Sequence, residues 1–380
     1  MLFTPFKVKG LELKNRLVMP PIVCLYAGPN GEVTERLIAY LVARAAAGVG
    51  LVIVEASFVE MQGRAFPGEV GIHDDALVPG LRSLVSALKA AGAKTGVQLM
   101  HAGRRTSARA CLEQPVAPSP IATVNGEEPR ALRPDEIEAL VDTYGRAARR
   151  AVEAGFDTVE VHMAHGYLLN EFISPISNKR TDRYGGSLEN RLRFPLAVLR
   201  RVREVAGPDY PVMVRISADE FVDGGMRLAD WQRAAPILVK NGADLIDVSS
   251  GIPESTEMGS AGLLTAQART QPGYMLNLAE GIRRAVSVPV MAVGRIHSPA
   301  LAEQALAEGK ADLIGIARGL LADATWAKKA AEGRAADIVM CTMCGGCHRD
   351  LRSYKPITCP VNPELGLEYE AEAKPPARSA

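Results

Sequence analysis

Short apolar runs recur along the chain, most of them bounded by Gly or Pro and followed by a stretch of helical periodicity. The runs cover residues 17–19, 50–56, 95–100, 158–161, 212–216, 245–248, 290–293 and 313–317. They are apolar at nearly every position, which implies burial on both faces and hence a parallel sheet. Amphipathic segments follow at 34–47, 78–91, 135–154, 191–206, 228–241, 277–286, 299–308 and 323–332. Several of these end at a glycine, Gly92, Gly155, Gly242 or Gly309, the residue that most readily leaves a helix through the left-handed region. Eight strands alternating with eight helices predict an α/β fold, a (β/α)8 TIM barrel. An open doubly wound sheet is the alternative, but no Gly-x-Gly-x-x-Gly follows any of the strands. Residues 1–335 make up the predicted barrel, 336–364 a separate cysteine-rich segment, and 365–380 a flexible tail rich in Ala, Glu and Pro.

A barrel of this kind puts its chemistry just after the strands, with a phosphate site beyond strands seven and eight. Polar residues stand there: Gln98 and His101 at the third strand, His162 and His165 after the fourth, and Arg215 on the fifth. Gly294 and Arg295 follow the seventh strand, and Ala317 and Arg318 the eighth.

Composition narrows the function without naming it. Lys and Arg total 44 against 43 Asp and Glu, so the chain has no global pull toward nucleic acid or anionic membranes. Aromatic residues at 5% argue further against a base-stacking surface. The start of the chain lacks the apolar core of a signal peptide. The best apolar run, 39–56, is interrupted by Arg44 and Glu55. The expectation is a cytoplasmic protein with a small-molecule substrate and with neither a membrane nor a nucleic-acid partner.

The string from His162 to Asn170 carries two imidazoles and the Tyr167 phenol at one strand end. Imidazole N–H groups can polarise a carbonyl, and a nearby phenol can deliver a proton. An isolated His-x-x-His is ordinarily a capping pair; the longer string around it is what makes it specific. HGYLLNEFISPISNKRTDRYGGSLENRLRF, from His165 to Phe194, resembles the signature of the old yellow enzyme family of FMN-dependent oxidoreductases. PFKVKGLELKNRLVMPP near the start, QLMHAGR from Gln98, PVAPSP from Pro115 and VGRI from Val293 support it, and the resemblance runs from residue 1 to about 363.

That resemblance implies a bound FMN, with NADH or NADPH as reductant. Gln98 would bond the pyrimidine edge of the flavin, and Arg215 would sit near N1, where a fixed guanidinium favours the anionic reduced ring. The backbone at Pro20, Pro21, Ile22 and Ala56 would contact the isoalloxazine. Gly294, Arg295, Ala317 and Arg318 would hold the phosphate. His162 and His165 would bind the activating oxygen of an alkene, and Tyr167 would protonate the α carbon after hydride reaches the β carbon. Asn178, Arg180, Asp182, Tyr184, Gly185 and Gly186 are expected to fold a loop rather than do chemistry.

Four of the six cysteines lie close together: Cys341, Cys344 and Cys347 at C-x2-C-x2-C spacing, then Cys359 before a proline. Four thiolates suit tetrahedral zinc or a 4Fe–4S cluster, and three close cysteines with a distant fourth fit ferredoxin-type ligation better than paired zinc motifs. The segment is similar to that of the iron–sulfur branch containing 2,4-dienoyl-CoA reductase and trimethylamine dehydrogenase, which implies the cluster. Members of that branch usually continue into nucleotide-binding domains. The sequence given ends soon after the cysteines, so the cluster is expected to exchange electrons with a separate protein. Two features set the chain apart within the branch. His162 stands where amine dehydrogenases carry an aromatic residue, and the loop from Ser249 to Thr256 lacks the His of the dienoyl-CoA reductases. An ene-reductase is therefore expected, with an amine or other donor dehydrogenase, or a non-catalytic electron-transfer subunit, as alternatives. Assembly into dimers or larger oligomers is also expected. Cys24 and Cys111 are expected to be single thiols without a ligand role.

Overall fold

The computed structural model describes residues 1–124, 126–257 and 271–373. Eight strands close into a parallel barrel: β1 Leu17–Met19, β2 Leu51–Phe58, β3 Lys94–Met100, β4 Thr158–Met163, β5 Val212–Ser217, β6 Leu245–Ser249, β7 Val290–Ala292 and β8 Leu313–Gly315. Each strand pairs with the next in chain order, and β8 returns to β1. A hairpin of Phe6–Val8 and Leu11–Leu13 lies beside the N-terminal ends of the strands, where the Lys9 ammonium donates to the Pro208 carbonyl at 2.8 Å.

The helices are α1 Glu35–Ala46, α2 Val78–Ala90, α3 Pro134–Ala154, α4 Leu188–Ala206, α5 Leu228–Lys240, α6 Leu276–Arg283, α7 Pro299–Ala307 and α8 Trp326–Ala331. Their starts follow from capping. The Thr34 hydroxyl accepts from the Leu37 N–H at 3.2 Å, and Ser187 and Ser298 cap α4 and α7 the same way. α3 stops at Gly155, whose φ of 90° lets the chain leave the helix. The predicted alternation is therefore observed, with shifts at several ends. α8 begins at Trp326 rather than at 323, because the Asp323 carboxylate accepts from the N–H groups of Thr325 and Val339, both at 2.9 Å. β4 is longer than expected and carries His162 within it.

The cysteine segment crosses the C-terminal mouth of the barrel. Ile357 is buried there; its N–H donates to the Cys24 carbonyl at 3.1 Å and its carbonyl accepts from the Tyr26 hydroxyl at 2.7 Å. Asn362 adds a bond to the Leu321 carbonyl at 2.7 Å. The stretch expected to be a loose tail is ordered in part. Leu365 is buried, and Glu368–Ala373 form a helix whose Glu368 pairs with the buried Arg44 of α1 at 2.5 Å. Residues 374–380 of that stretch lie outside the described residues. Among the described residues, no helix is long and apolar enough to cross a membrane.

Candidate functional site

A cavity of about 670 Å³ opens at the C-terminal ends of the strands. Pro20, His165, Arg215, Gly294, Arg295, Ala317, Arg318 and Cys341 line it, so eight of the residues singled out from sequence share one space. Gly294 has φ 101°, and a Cβ there would lie 2.7 Å from Met275. The cradle after β7 therefore requires glycine, and its backbone comes close to whatever fills the cavity. His162 and Tyr167 are not on the cavity wall but adjoin His165. Ala56 packs in a small apolar cluster with Ala65, Met100 and Ala102, against which Tyr167 leans. Pro21 and Ile22 do not line the cavity. Gln98 lies beneath it, and His101 turns away to Glu60, 3.1 Å from its carboxylate.

The histidine turn is built by β4 and the bend after it. His165 sits in the left-handed region at φ 63°, an unfavourable conformation for a side chain with a Cβ. Two bonds hold it: its N–H donates to the Ser217 hydroxyl at 2.9 Å, and its carbonyl accepts from Arg105 at 2.5 Å. Gly166 follows at φ 71°, and a Cβ there would meet Pro253 at 2.6 Å. The two residues reverse the chain so that the rings of His162, His165 and Tyr167 pack together. His162 lies 5.1 Å from each of the other two, centroid to centroid. The Arg105 guanidinium caps the Tyr167 ring at 4.5 Å.

Hydrogen bonding assigns the protons. His162 Nδ1 accepts from the Ala164 N–H at 3.2 Å, which leaves the proton on Nε2, 3.4 Å from His165 Nδ1. His165 then carries its own proton on Nε2, 2.7 Å from the Ser249 hydroxyl. Burial pushes both imidazoles well below their ordinary range, with Arg215 and Arg105 adding to the effect, so both are neutral donors at pH 7. Burial pushes the Tyr167 phenol up, which keeps its proton in place.

A buried polar quartet lies under the cavity. The strand register sets Gln98 beside Glu160 and Arg215 beside Asp247. The Gln98 amide donates to Glu160 at 2.7 Å, and Arg215 Nε lies 3.0 Å from Asp247, close enough for an ion pair but not aligned as a hydrogen bond. Burial and the Asp247 charge push the Glu160 carboxyl up, and burial pushes Asp247 up against the pull of Arg215. One proton shared between the two carboxyls leaves the quartet near neutrality. Glu160, Asp247, Ser249 and Arg105 were not singled out from sequence. A lone acid inside an apolar strand, as in TVEVHM and LIDVS, is the signal that could have found the first two.

The loop after the histidine turn is held together by its own side chains. Asn178 donates to the carbonyls of Phe172 and Tyr184 at 2.7 and 2.8 Å, and Arg180 to that of Pro118 at 3.0 Å. Glu171, on the short helix Leu168–Ile173 after Tyr167, is pushed up to about 8 by burial, although Arg104 opposes it. Glu220 behind it is pushed up to about 7 by burial. At neutral pH Glu171 keeps its proton in the fold and Glu220 is near its midpoint, whereas their ordinary value is 4.5. The folded state therefore binds more protons than the unfolded chain, and stability falls as pH rises from about 4.5 to about 8. Glu171→Gln removes the Glu171 share of this loss. Thermal unfolding should show little difference from wild type at pH 5 and a gain of about 2–4 kcal/mol at pH 8; a gain equal at both pH values would sink the assignment.

All four clustered cysteines line a second, small cavity next to the first, and Arg318 and Cys341 border both. The Gly346 N–H points at the Cys344 sulfur at 3.4 Å. Among the described residues, no group of three or more His, Cys, Asp or Glu converges as a single-ion site. His348, next to Cys347, is pushed down by burial and by the charges of Arg318, Arg352 and Arg105.

Residues 1–337 match the NADH:flavin oxidoreductase / NADH oxidase family, and the chain belongs to it. It is 42% identical over 376 residues to the NADH oxidase of Thermoanaerobacter brockii, covering 97% of this chain and 56% of that protein. It is 42% identical to the NADPH dehydrogenase of Halalkalibacterium halodurans, over 87% of this chain and 94% of that one. Among solved structures, 2-naphthoyl-CoA reductase in complex with 2-naphthoyl-CoA superposes with a TM-score of 0.92 at 32% identity, covering 97% of this chain and 58% of that chain. The chain thus spans little more than half the length of the first of these relatives. The expected family and barrel are borne out.

Proposed function

We propose that the chain is an FMN-dependent oxidoreductase that takes reducing equivalents from NADH or NADPH and reduces an activated C=C bond. Residues 1–335 form its flavin barrel, and 336–364 hold a 4Fe–4S cluster that exchanges single electrons with a partner protein. The observation that carries the reading is the pair of neutral imidazoles beside a protonated phenol, at a cavity floored by Arg215. The cavity residues fit the flavin: the Gly294 cradle, Arg295, Ala317 and Arg318 suit its phosphate, and Arg215 with Gln98 below suits its polar ring edge. The four thiols around one cavity, with an N–H aimed at one sulfur, fit the cluster. Bound FMN would supply hydride chemistry at its N5, and the cluster one-electron transfer.

The chain's own residues do the rest. The activating oxygen would take the place of the acceptors that the two Nε2–H groups have here, the Ser249 hydroxyl for His165 on the cavity wall and His165 Nδ1 for His162 behind it, and the two imidazoles would stabilise the charge that develops on it. Tyr167 gives its hydroxyl proton to the α carbon. Arg105 fixes the Tyr167 ring and the His165 carbonyl. An imidazole donor suits a carbonyl oxygen, whereas a methylated amine would favour an aromatic face.

Anaerobic mixing of the pre-reduced, flavin-loaded protein with cyclohexenone should restore the absorbance of oxidised flavin. Bleaching of the oxidised protein by amines, with no response to enones, would overturn the reading in favour of a dehydrogenase. Gly294→Ala forces a Cβ against Met275 in a left-handed backbone. It should release FMN on gel filtration and destabilise the fold by about 1–3 kcal/mol in thermal unfolding. Full FMN retention would remove the cradle from the flavin site.

A further inference from the structure

The large cavity gathers positive charge from both the barrel and the cysteine segment. Five arginines and three histidines line it, and among its described lining residues none is acidic. In the reading above, Arg295 and Arg318 answer the phosphate, which carries about −1.5 to −2 at pH 7. Arg215 answers the ring and is already paired with Asp247. Arg349 is assigned to neither, and it comes, like Arg352 three positions on, from the helix Gly346–Arg352 of the cysteine segment rather than from the barrel. They are three apart, so they share a helix face. Arg349 Nη1 reaches the neutral Cys344 carbonyl at 3.5 Å, too long for a strong bond. The same cavity is bordered by His165.

We propose that Arg349, with Arg352 beside it, is an anion-recognising arm of the active cavity. The molecule that enters beside the flavin then bears a carboxylate or phosphate group, held by the cysteine segment while its reacting end faces His165. This deepens the proposed function and rests on it. It also gives the segment a substrate-binding part in addition to carrying the cysteines. Both anion sources share one chemistry, a charge-assisted bond from guanidinium to anionic oxygen.

The test compares benzoate with benzamide, which differ chiefly in charge, by calorimetry on the oxidised holoprotein. A parallel titration compares NADP+ with NAD+, which differ by one phosphate. Benzoate should bind about 10–100-fold more tightly than benzamide, the worth of one charged hydrogen bond, and added salt should erase the difference. In R349Q/R352Q the preference should collapse to about one while FMN stays bound. Lys355→Gln, exposed and outside the cavity, should keep the preference. A preference confined to NADP+ over NAD+ would assign the arm to the dinucleotide donor; one seen with benzoate assigns it to the substrate. No preference in either titration, a preference that survives the double variant, or loss of FMN from that variant would each overturn the proposal. The titrations need no turnover, so an enzyme that ignores enones would refute the alkene reading and leave this result legible.

Discussion

If the proposed alkene reduction holds, Tyr167→Phe should slow reduction of an enone by the flavin-loaded protein about 10²–10⁴-fold, the usual worth of a positioned general acid. Reduction of the flavin by NADH or NADPH, which needs no proton from this phenol, changes by no more than about threefold in the same variant. Stopped-flow measurement of the two half-reactions separates the effects. The substitution keeps the ring in its slot between His162 at 5.1 Å and the Arg105 guanidinium at 4.5 Å, and removes only the hydroxyl. Equal losses in both half-reactions would show that Tyr167 shapes the cavity instead of supplying the proton. The pH profile adds a second check. Burial lowers both imidazoles and raises the phenol, so none of the three groups titrates near neutrality. Enone reduction should be flat through neutral pH, and it should fall only on the acid side of the ordinary histidine range, as the imidazoles gain protons. A bell-shaped profile centred near pH 6.5 would contradict the neutral pair.

Cys347→Ala empties the proposed cluster. The wild-type protein, isolated without oxygen, should contain about four irons and matching acid-labile sulfide, and the variant less than about a tenth of that. The barrel should stay folded by circular dichroism, because the segment is also tied down through Ile357 to Cys24 and Tyr26 and through Asn362 to Leu321. Hydride chemistry with NADPH should persist, while reduction of a one-electron acceptor should fall about a hundredfold if the cluster is the exit route. Zinc in place of iron in the wild type would overturn the cluster and leave the segment a structural staple.

Much of the barrel is written locally. Strands apolar at nearly every position can only be buried on both faces, and a serine or threonine ahead of a periodic stretch starts a helix whatever surrounds it; Thr34, Ser187 and Ser298 do so here. Ends set by distant partners were not legible. Asp323 reads as a helix start until its carboxylate meets the Val339 N–H, and Glu368 reads as tail until it meets Arg44.

The candidate site divides along the same line. Residue type and spacing alone determined that two imidazoles, a phenol and four thiols were present, and that the former stood at a strand end, because such patterns are properties of the chain. Which of them share a space is decided by register and packing across the barrel. The pairing of β3 with β4 and of β5 with β6 assembles Gln98, Glu160, Arg215 and Asp247 from four separate strands. The path of the cysteine segment over the mouth brings Arg349 into the same cavity as His165, 184 positions away in the chain. Charge states follow from that assembly too, since desolvation depends on what surrounds a group in three dimensions and not on its neighbours in sequence.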